Sequence, residues 1–166
     1  MTIDTDLTEL AYPLTWAEIN CPCCGVGLLD VRLHAALTVL DELLPSRYTV
    51  TSLTRCPQHN AEVCGTPDSR HLYGLAVDLQ PRGVSLYRLI SAALTSPCFE
   101  AGGIGLYPDR DMLHLDIRPR PARWGKIGNQ FLGFNDTWTA LWSDKAMPDR
   151  ITLAAHSPGP PSPVSL

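Results

Sequence analysis

Apolar residues recur at the spacing of an α-helix in two stretches of the chain. The first repeat consists of Leu33, Leu37, Leu40 and Leu44. Asp30 is suited to cap the start of this segment and Pro45 to end it, so the pattern predicts a helix over 31–44. The second repeat consists of Leu86, Leu89, Ile90 and Leu94. It predicts another helix, over 84–96.

Alternating apolar and polar residues predict four strands outside these helices. The segments are RYTVTSLTR (47–55), YGLAVDLQP (73–81), GGIGLYP (102–108) and MLHLDIRP (112–119). The last two are joined only by the polar turn DRD, which leaves no room for a crossover and so predicts a hairpin. The order of these elements predicts an α+β fold, with a central antiparallel sheet flanked by helices.

The remaining segments predict little regular structure. Proline and glycine interrupt residues 1–29, and residues 56–69 read as a loop with room for one helical turn. Trp138 and Trp142 are four apart, which predicts a short helix packing on the sheet. Beyond about residue 150 the Pro/Ser-rich composition predicts a disordered tail over 151–166. We therefore expect one domain over 1–150.

Charge and hydropathy exclude two classes of partner. The net charge is -4 and no run of Lys or Arg occurs, which argues against nucleic-acid binding. No apolar run approaches the roughly 18 residues of a membrane span. The segment MTIDTDLTELAYPLTW lacks the basic start and apolar block of a secretory signal. The chain is therefore expected to be made in the cytoplasm, and we expect it to be a monomer.

Candidate metal ligands lie on two of the predicted strands. His114 and Asp116 share the outward face of the last strand, where they form either a solvated salt-bridged row or a site. His71 and Asp78 are seven residues apart and would point to opposite sides of an unbroken strand. A turn or bulge at Gly74 would let both face one cleft. Two imidazoles and one carboxylate form a donor set suited to a catalytic zinc ion.

The stretch SRHLYGLAVDL fits the pattern Ser-x-His-x-x-Gly-x-Ala-x-Asp. In this it resembles the zinc DD-peptidase family, of the peptidase M15 type, which includes D-alanyl-D-alanine carboxypeptidases and phage L-alanyl-D-glutamate endopeptidases. TSLTRCPQHNAEVCGTPDS and GGIGLYPDRDMLHLDIRPRPARW flank it in the family's order, so the resemblance spans about residues 20–125. It implies a hedgehog/DD-peptidase-like fold with zinc in a cleft on the sheet.

The resemblance also assigns roles to residues. It implies one catalytic Zn²⁺, with the ligands His71, Asp78 and His114. It implies Asp111 as general base, three residues before the last histidine, and it assigns substrate binding to Arg55 and Ser69. Asp111 and His114 are three residues apart, so in a regular strand their side chains would point to opposite faces. The turn DRD must therefore reorient Asp111 toward the site. Asp116, two residues after His114, shares its face of the strand and is the second candidate for the general base. We nevertheless expect Asp116 to orient a metal ligand or to pair with an arginine.

The implied reaction is hydrolysis of an amide bond in peptidoglycan stem peptides, by a D,D-carboxypeptidase or an L,D- or D,D-endopeptidase. The expected setting is a phage or prophage lysin that reaches the wall after release, or a wall hydrolase carried on the virion. The alternative is a non-catalytic zinc- or peptide-binding module of the same fold in a phage structural protein. The two hypotheses make different predictions. Replacing the general base should abolish cleavage by the peptidase, whereas the binding module has no cleavage to lose.

Six cysteines offer a third hypothesis, a redox or cysteine-knuckle protein. CPCC (21–24) resembles half of a metal knuckle, and Cys56 and Cys64, with His59 between them, could supply a weakly indicated second half. The favoured interpretation is that the cysteines are buried or loosely paired thiols in a reducing compartment.

Overall fold

The computed structural model describes residues 14–45 and 47–143. The helices are α1 (Trp16–Ile19), α2 (Val31–Leu43), α3 (Pro57–Glu62), α4 (Leu86–Thr95), α5 (Pro97–Glu100) and α6 (Phe134–Ser143). The strands are β1 (Tyr48–Ser52), β2 (Ala76–Pro81), β3 (Gly103–Tyr107), β4 (Met112–Asp116), β5 (Ala122–Ile127) and β6 (Gln130–Leu132). The expected domain end near 150 and the predicted tail over 151–166 lie outside the described residues. Within the described ranges, no helix is long and apolar enough to cross a bilayer.

The helices predicted from hydrophobic spacing are confirmed as α2 and α4. The side chain of Asp30 accepts a hydrogen bond from the Arg32 amide and caps α2, and Ser85 caps α4 through the Arg88 amide. α3 supplies the helical turn expected in residues 56–69. α6 includes the segment around Trp138, whose side chain packs on the core, whereas the side chain of Trp142 lies outside what the structure describes.

The sheet is mixed, so the expectation of a purely antiparallel sheet was wrong. Its strands lie in the order β1-β2-β4-β3-β5-β6, and β3 and β5 run parallel while the other neighbours are antiparallel. Residues 117–121 carry the chain from β4 across the end of β3, where the Ala122 amide donates to the Gly102 carbonyl at 3.1 Å. The predicted hairpin of β3 and β4 is confirmed.

The two faces of β2 and β4 have different partners. The apolar face carries Val77, Leu79, Leu113 and Leu115, all fully buried in a core that includes residues of α2 and α4. The opposite face carries Asp78, His114 and Asp116, since side chains alternate along a strand. Although polar, these three are also buried. A buried polar row requires partners for each group, which makes this face the place to look for chemistry.

Candidate metal centre

Three side chains that the sequence predicted as metal ligands converge on the polar face of the sheet. Asp78 Oδ1 lies 2.9 Å from His114 Nδ1 and 3.2 Å from His71 Nε2. The two imidazole nitrogens are themselves 3.2 Å apart. All three residues are buried, with exposed fractions of 1% for His71, 3% for Asp78 and 8% for His114.

Strand pairing and one turn bring these residues together. Asp78 on β2 lies directly opposite His114 on β4 in the antiparallel ladder. His71 belongs to a short 3-10 turn over Arg70–Tyr73, which ends at Gly74 with a left-handed φ of 65°. This turn lets His71 reach Asp78 despite their odd spacing of seven residues. The turn predicted at Gly74 is therefore confirmed.

The outer nitrogen of each imidazole already has a partner. His71 Nδ1 lies 2.7 Å from the Leu53 carbonyl oxygen, and His114 Nε2 lies 3.2 Å from Asp116 Oδ2. Both partners are acceptors, so in each neutral imidazole the outer nitrogen donates and the inner nitrogen keeps its lone pair. Two lone pairs and a carboxylate oxygen then face one another with no proton between them. Such a donor set fits a bound cation, with the second layer of hydrogen bonds that metal-binding histidines usually have.

Burial and hydrogen bonding shift the pKa values of the three groups. Burial lowers the pKa of His71, because the imidazolium would be poorly solvated there. Burial opposes the charge of Asp78, but His71 and His114 outweigh it and hold its pKa well below the usual range. Burial also opposes the charge of His114, yet its hydrogen bonds to Asp116 and Asp78 raise its pKa. Because a metal ion binds neutral imidazole and ionised carboxylate, protons compete with a cation for these three groups.

Asp116 lies behind His114 and is fully buried. Its Oδ1 accepts hydrogen bonds from the Arg118 amide at 3.0 Å and from Arg118 Nε at 2.8 Å, so the arginine pairing expected for Asp116 is present. Burial disfavours its charge, but hydrogen bonds from His114 and Arg118 prevail and lower its pKa. An ionised Asp116 is therefore engaged on both sides and is placed to orient the His114 ring.

Arg55 lies just beyond β1, at the edge of the same group. Its Nη2 donates to Asp78 Oδ2, the carboxylate oxygen that does not face the histidines, and its Nε donates to Ser52 Oγ at 3.0 Å. Its backbone amide donates to the His71 carbonyl at 3.1 Å. Ser69 directly precedes the 3-10 turn. Arg55 and Ser69 both line a cleft that opens over the three converging side chains.

A protein-family model described as Peptidase M15 matches residues 13–116, which is more than half of the chain. This chain belongs to the peptidase M15 family. The matched residues include β1 to β4 and hence His71, Asp78 and His114. None of the curated proteins compared with the chain matches it. The resemblance seen in SRHLYGLAVDL is thereby confirmed, and it makes this M15 family member part of a family of metallopeptidases.

In this M15 family member Asp111, the predicted general base, lies on an exposed turn. It directly precedes β4 and has a left-handed φ of 47°. Its neighbours Arg110 and Met112 line the cleft, but Asp111 itself is not among the lining residues. The turn DRD therefore does not bring the Asp111 side chain beside His114 in this conformation.

The cleft of this M15 family member has a volume of about 620 Å³. One wall is Trp124 on β5, whose ring lies 5.2 Å from that of His114 and whose Nε1 donates to Tyr107 Oη at 3.1 Å. The lining also includes residues to which the sequence assigned no role: Asp68, Arg70, Arg110, Lys126 and Phe131. For Asp68 a signal was available, since it is the acidic residue just before the metal-ligand motif. Lys126 and Phe131 reach the cleft through β5 and β6, which the sequence did not predict, whereas Arg70 and Arg110 belong to segments that it had singled out.

Proposed function

We propose that this protein is a zinc peptidase that hydrolyses an amide bond in the stem peptides of peptidoglycan. The observation that carries the proposal is the convergence of His71 Nε2, Asp78 Oδ1 and His114 Nδ1. Three such protein ligands leave the fourth position of a tetrahedral zinc ion for water or substrate, as in catalytic sites. Membership of the peptidase M15 family supports peptide-bond chemistry.

Each polar group of the cleft has a proposed task. Zinc bound by the three ligands would polarise the scissile carbonyl and lower the pKa of a water molecule. Asp116 holds the His114 ring so that its inner nitrogen keeps a lone pair. Arg55, whose guanidinium is paired with Asp78, binds a carboxylate or carbonyl oxygen of the substrate. Ser69 contacts the peptide along the cleft wall.

A further carboxylate must accept a proton from the attacking water and return it to the leaving amine. We assign this role to Asp111, whose neighbours Arg110 and Met112 line the cleft. Asp68 is the competing candidate, because its side chain belongs to the lining itself. Catalytic hydrogen bonds often form only in the substrate complex, so we expect the Asp111 carboxylate to reach the attacking water when substrate binds.

The charge of the cleft suits an anionic peptide. Among the described residues, the cationic side chains of the lining are Arg55, Arg70, Arg110, Arg118 and Lys126. The acidic ones are Asp68 and Asp78. The chain as a whole carries a net charge of -4, so positive charge is concentrated where substrate would bind. Stem peptides carry free carboxylates, both at their ends and on their acidic residues.

The proposal covers D,D-carboxypeptidase and L,D- or D,D-endopeptidase cleavage. In both, a substrate carboxylate close to the scissile amide can pair with Arg55. We extend the proposal to a phage or prophage lysin, or a virion-associated wall hydrolase, because SRHLYGLAVDL resembles the motif of phage endopeptidases.

Purified peptidoglycan provides the test of the proposal. The zinc-loaded chain is expected to release peptide fragments or a terminal amino acid, with one new amine for each bond cleaved. A chelator should slow release by roughly 10³-fold, because Lewis acidity worth several kcal/mol is lost. Adding Zn²⁺ should restore the rate, whereas Mg²⁺, which prefers oxygen ligands, should not. Mass spectrometry of the products identifies the bond.

Exchange of the candidate bases for amides is the second prediction. Asp111→Asn is expected to lower kcat by roughly 10²- to 10⁴-fold, the usual contribution of a general base, while the zinc content stays unchanged. Asp109→Asn, two residues away on the same turn, is the matched control and should retain the wild-type rate. If Asp68→Asn abolishes hydrolysis and Asp111→Asn does not, the base is Asp68.

A second candidate function is a non-catalytic zinc- or peptide-binding module. The observation that favours it is the position of Asp111 outside the cleft lining. If the chain binds zinc but cleaves no type of peptidoglycan, that result would support the non-catalytic module over the peptidase.

A further inference from the structure

Four cysteine sulfur atoms converge at a place separate from the cleft. They belong to Cys21, Cys23, Cys24 and Cys56, and all four lie within 4.8 Å of one another. Cys23 Sγ is 3.7 Å from Cys21 Sγ and 3.2 Å from Cys56 Sγ. The bonds of about 2.3 Å in a tetrahedral zinc–thiolate site imply sulfur separations of about 3.8 Å. The observed spacing is close to that value.

The cluster is not explained by burial of thiols in a core. Cys21 is buried, but Cys23 and Cys24 are exposed and Cys56 is only half-buried. Burial, one part of the interpretation favoured from the sequence, therefore applies within this cluster to Cys21 alone, while the thiol contacts of Cys23 agree with its other part, loose pairing. Of the weakly indicated second half of the knuckle, Cys56 belongs to the cluster, whereas Cys64 is exposed and does not.

The backbone around the cluster has the form of a metal knuckle. The Cys21 amide donates to the Val26 carbonyl at 2.8 Å, and the Gly25 amide donates to the Cys21 carbonyl at 2.9 Å. Gly25 has a left-handed φ of 73°, which closes this tight turn. The turn brings three cysteines, separated by only one other residue, to one point.

Backbone amides also point at two of the sulfur atoms. The Cys56 amide lies 3.4 Å from Cys21 Sγ, and the His59 amide lies 3.4 Å from Cys56 Sγ. Amide hydrogen bonds favour the thiolate, which is the form that binds metal. Two independent features, sulfur spacing and amide direction, therefore indicate the same ligand class.

We propose that Cys21, Cys23, Cys24 and Cys56 bind one Zn²⁺ as a structural site with four thiolate ligands. The thiol protons are released to solvent when the ion binds. Four protein ligands leave no open position, so this site is not catalytic. The ion would link residues 21–24 to Cys56, which directly follows Arg55 in the chain. The Thr54 amide already donates to the Ile19 carbonyl at 3.2 Å, so the ion would reinforce an existing contact beside the cleft.

Metal content of the full chain, purified under reducing conditions, tests the proposal. The wild-type chain should bind one more zinc equivalent than Cys24→Ser, whose exposed side chain can be exchanged without disturbing the core. Cys56→Ser should lose the same equivalent. Cys98→Ser changes an exposed cysteine outside the cluster and should lose none.

Cobalt provides a readout that does not depend on activity. Co²⁺ bound by four thiolates should show intense thiolate-to-metal charge-transfer absorption in the near ultraviolet. Cobalt held by His71, Asp78 and His114 has no sulfur ligand and lacks this absorption. The absorption should therefore persist in Asp78→Asn and be lost in Cys24→Ser. Its absence from the wild-type chain, or a Cys23–Cys56 disulfide with unchanged metal content, would overturn the proposal.

Discussion

Asp78→Asn is expected to remove one zinc equivalent per chain and to lower the rate of peptidoglycan hydrolysis by roughly 10³-fold or more. Asparagine has nearly the shape of aspartate, so packing against the β2–β4 ladder should be kept. Its neutral amide oxygen is a much weaker zinc ligand than a carboxylate, and it no longer balances the charge of Arg55. Metal analysis and the wall-digestion assay measure the two effects.

Asp41→Asn is the matched control for this exchange. It makes the same chemical change on α2, outside the cleft lining, and should alter neither zinc content nor rate. Cys98→Ser, measured in the same metal analysis, is a control for changes in total zinc that do not depend on a proposed ligand. If Asp78→Asn binds as much zinc as the wild type and hydrolyses the wall at the same rate, the three converging side chains are not the catalytic centre.

Gly74→Ala is expected to lower the stability of the fold strongly. A Cβ at this position would lie 2.5 Å from the Leu28 carbonyl oxygen and 2.6 Å from its carbon, both backbone atoms with little freedom to move. The left-handed φ of 65° adds roughly 1–2 kcal/mol for an L-residue. Together these costs should lower the free energy of unfolding by roughly 3 kcal/mol or more. The Tm should fall by about 6–12 °C in a chain of this size.

Gly128→Ala separates the two causes. Gly128 also has a left-handed φ, of 58°, but a Cβ there would meet nothing within 4 Å. It should therefore show only the conformational cost, with a smaller fall in Tm in the same thermal melts. Equal losses in the two variants would mean that the contact of Gly74 with Leu28 does not matter. Zinc content should fall only in Gly74→Ala, because that glycine sets the position of His71.

The elements with a clear hydrophobic period were predicted well. α2 and α4 follow from leucines at helical spacing, and the β3–β4 hairpin follows from two alternating segments with a three-residue turn. These signals are local, since the period of a segment decides which face it can bury. β5 and β6 were missed because their exposed and half-buried positions do not alternate regularly.

The candidate site was predicted in part. The motif spacing and Gly74 were enough to expect that His71 and Asp78 share one cleft with His114. The hydrogen bond from His71 to the Leu53 carbonyl, and the wall formed by Trp124, could not be expected. Leu53 is 18 residues from His71, and the position of Trp124 depends on the parallel pairing of β5 with β3.

The cysteine cluster was likewise predicted only in part. CPCC indicated half of a knuckle, and the weakly indicated second half contained Cys56, which belongs to the cluster, as well as Cys64 and His59, which do not. Cys56 reaches Cys21 across 35 positions because the segment after β1 runs beside the N-terminal residues. Proximity between distant segments depends on how the whole chain packs, and no local pattern encodes it.

By itself, the sequence determined the α+β class, the main helices, the hairpin and the three side chains that converge on the polar face. It could do so because helical and strand periods and a glycine turn act over a few residues. The tertiary structure alone decided the mixed sheet, the exposed position of Asp111, the cationic lining of the cleft and the choice of Cys56 over Cys64 beside CPCC. Each of these depends on contacts between segments far apart in the chain, whose geometry only the packed core determines.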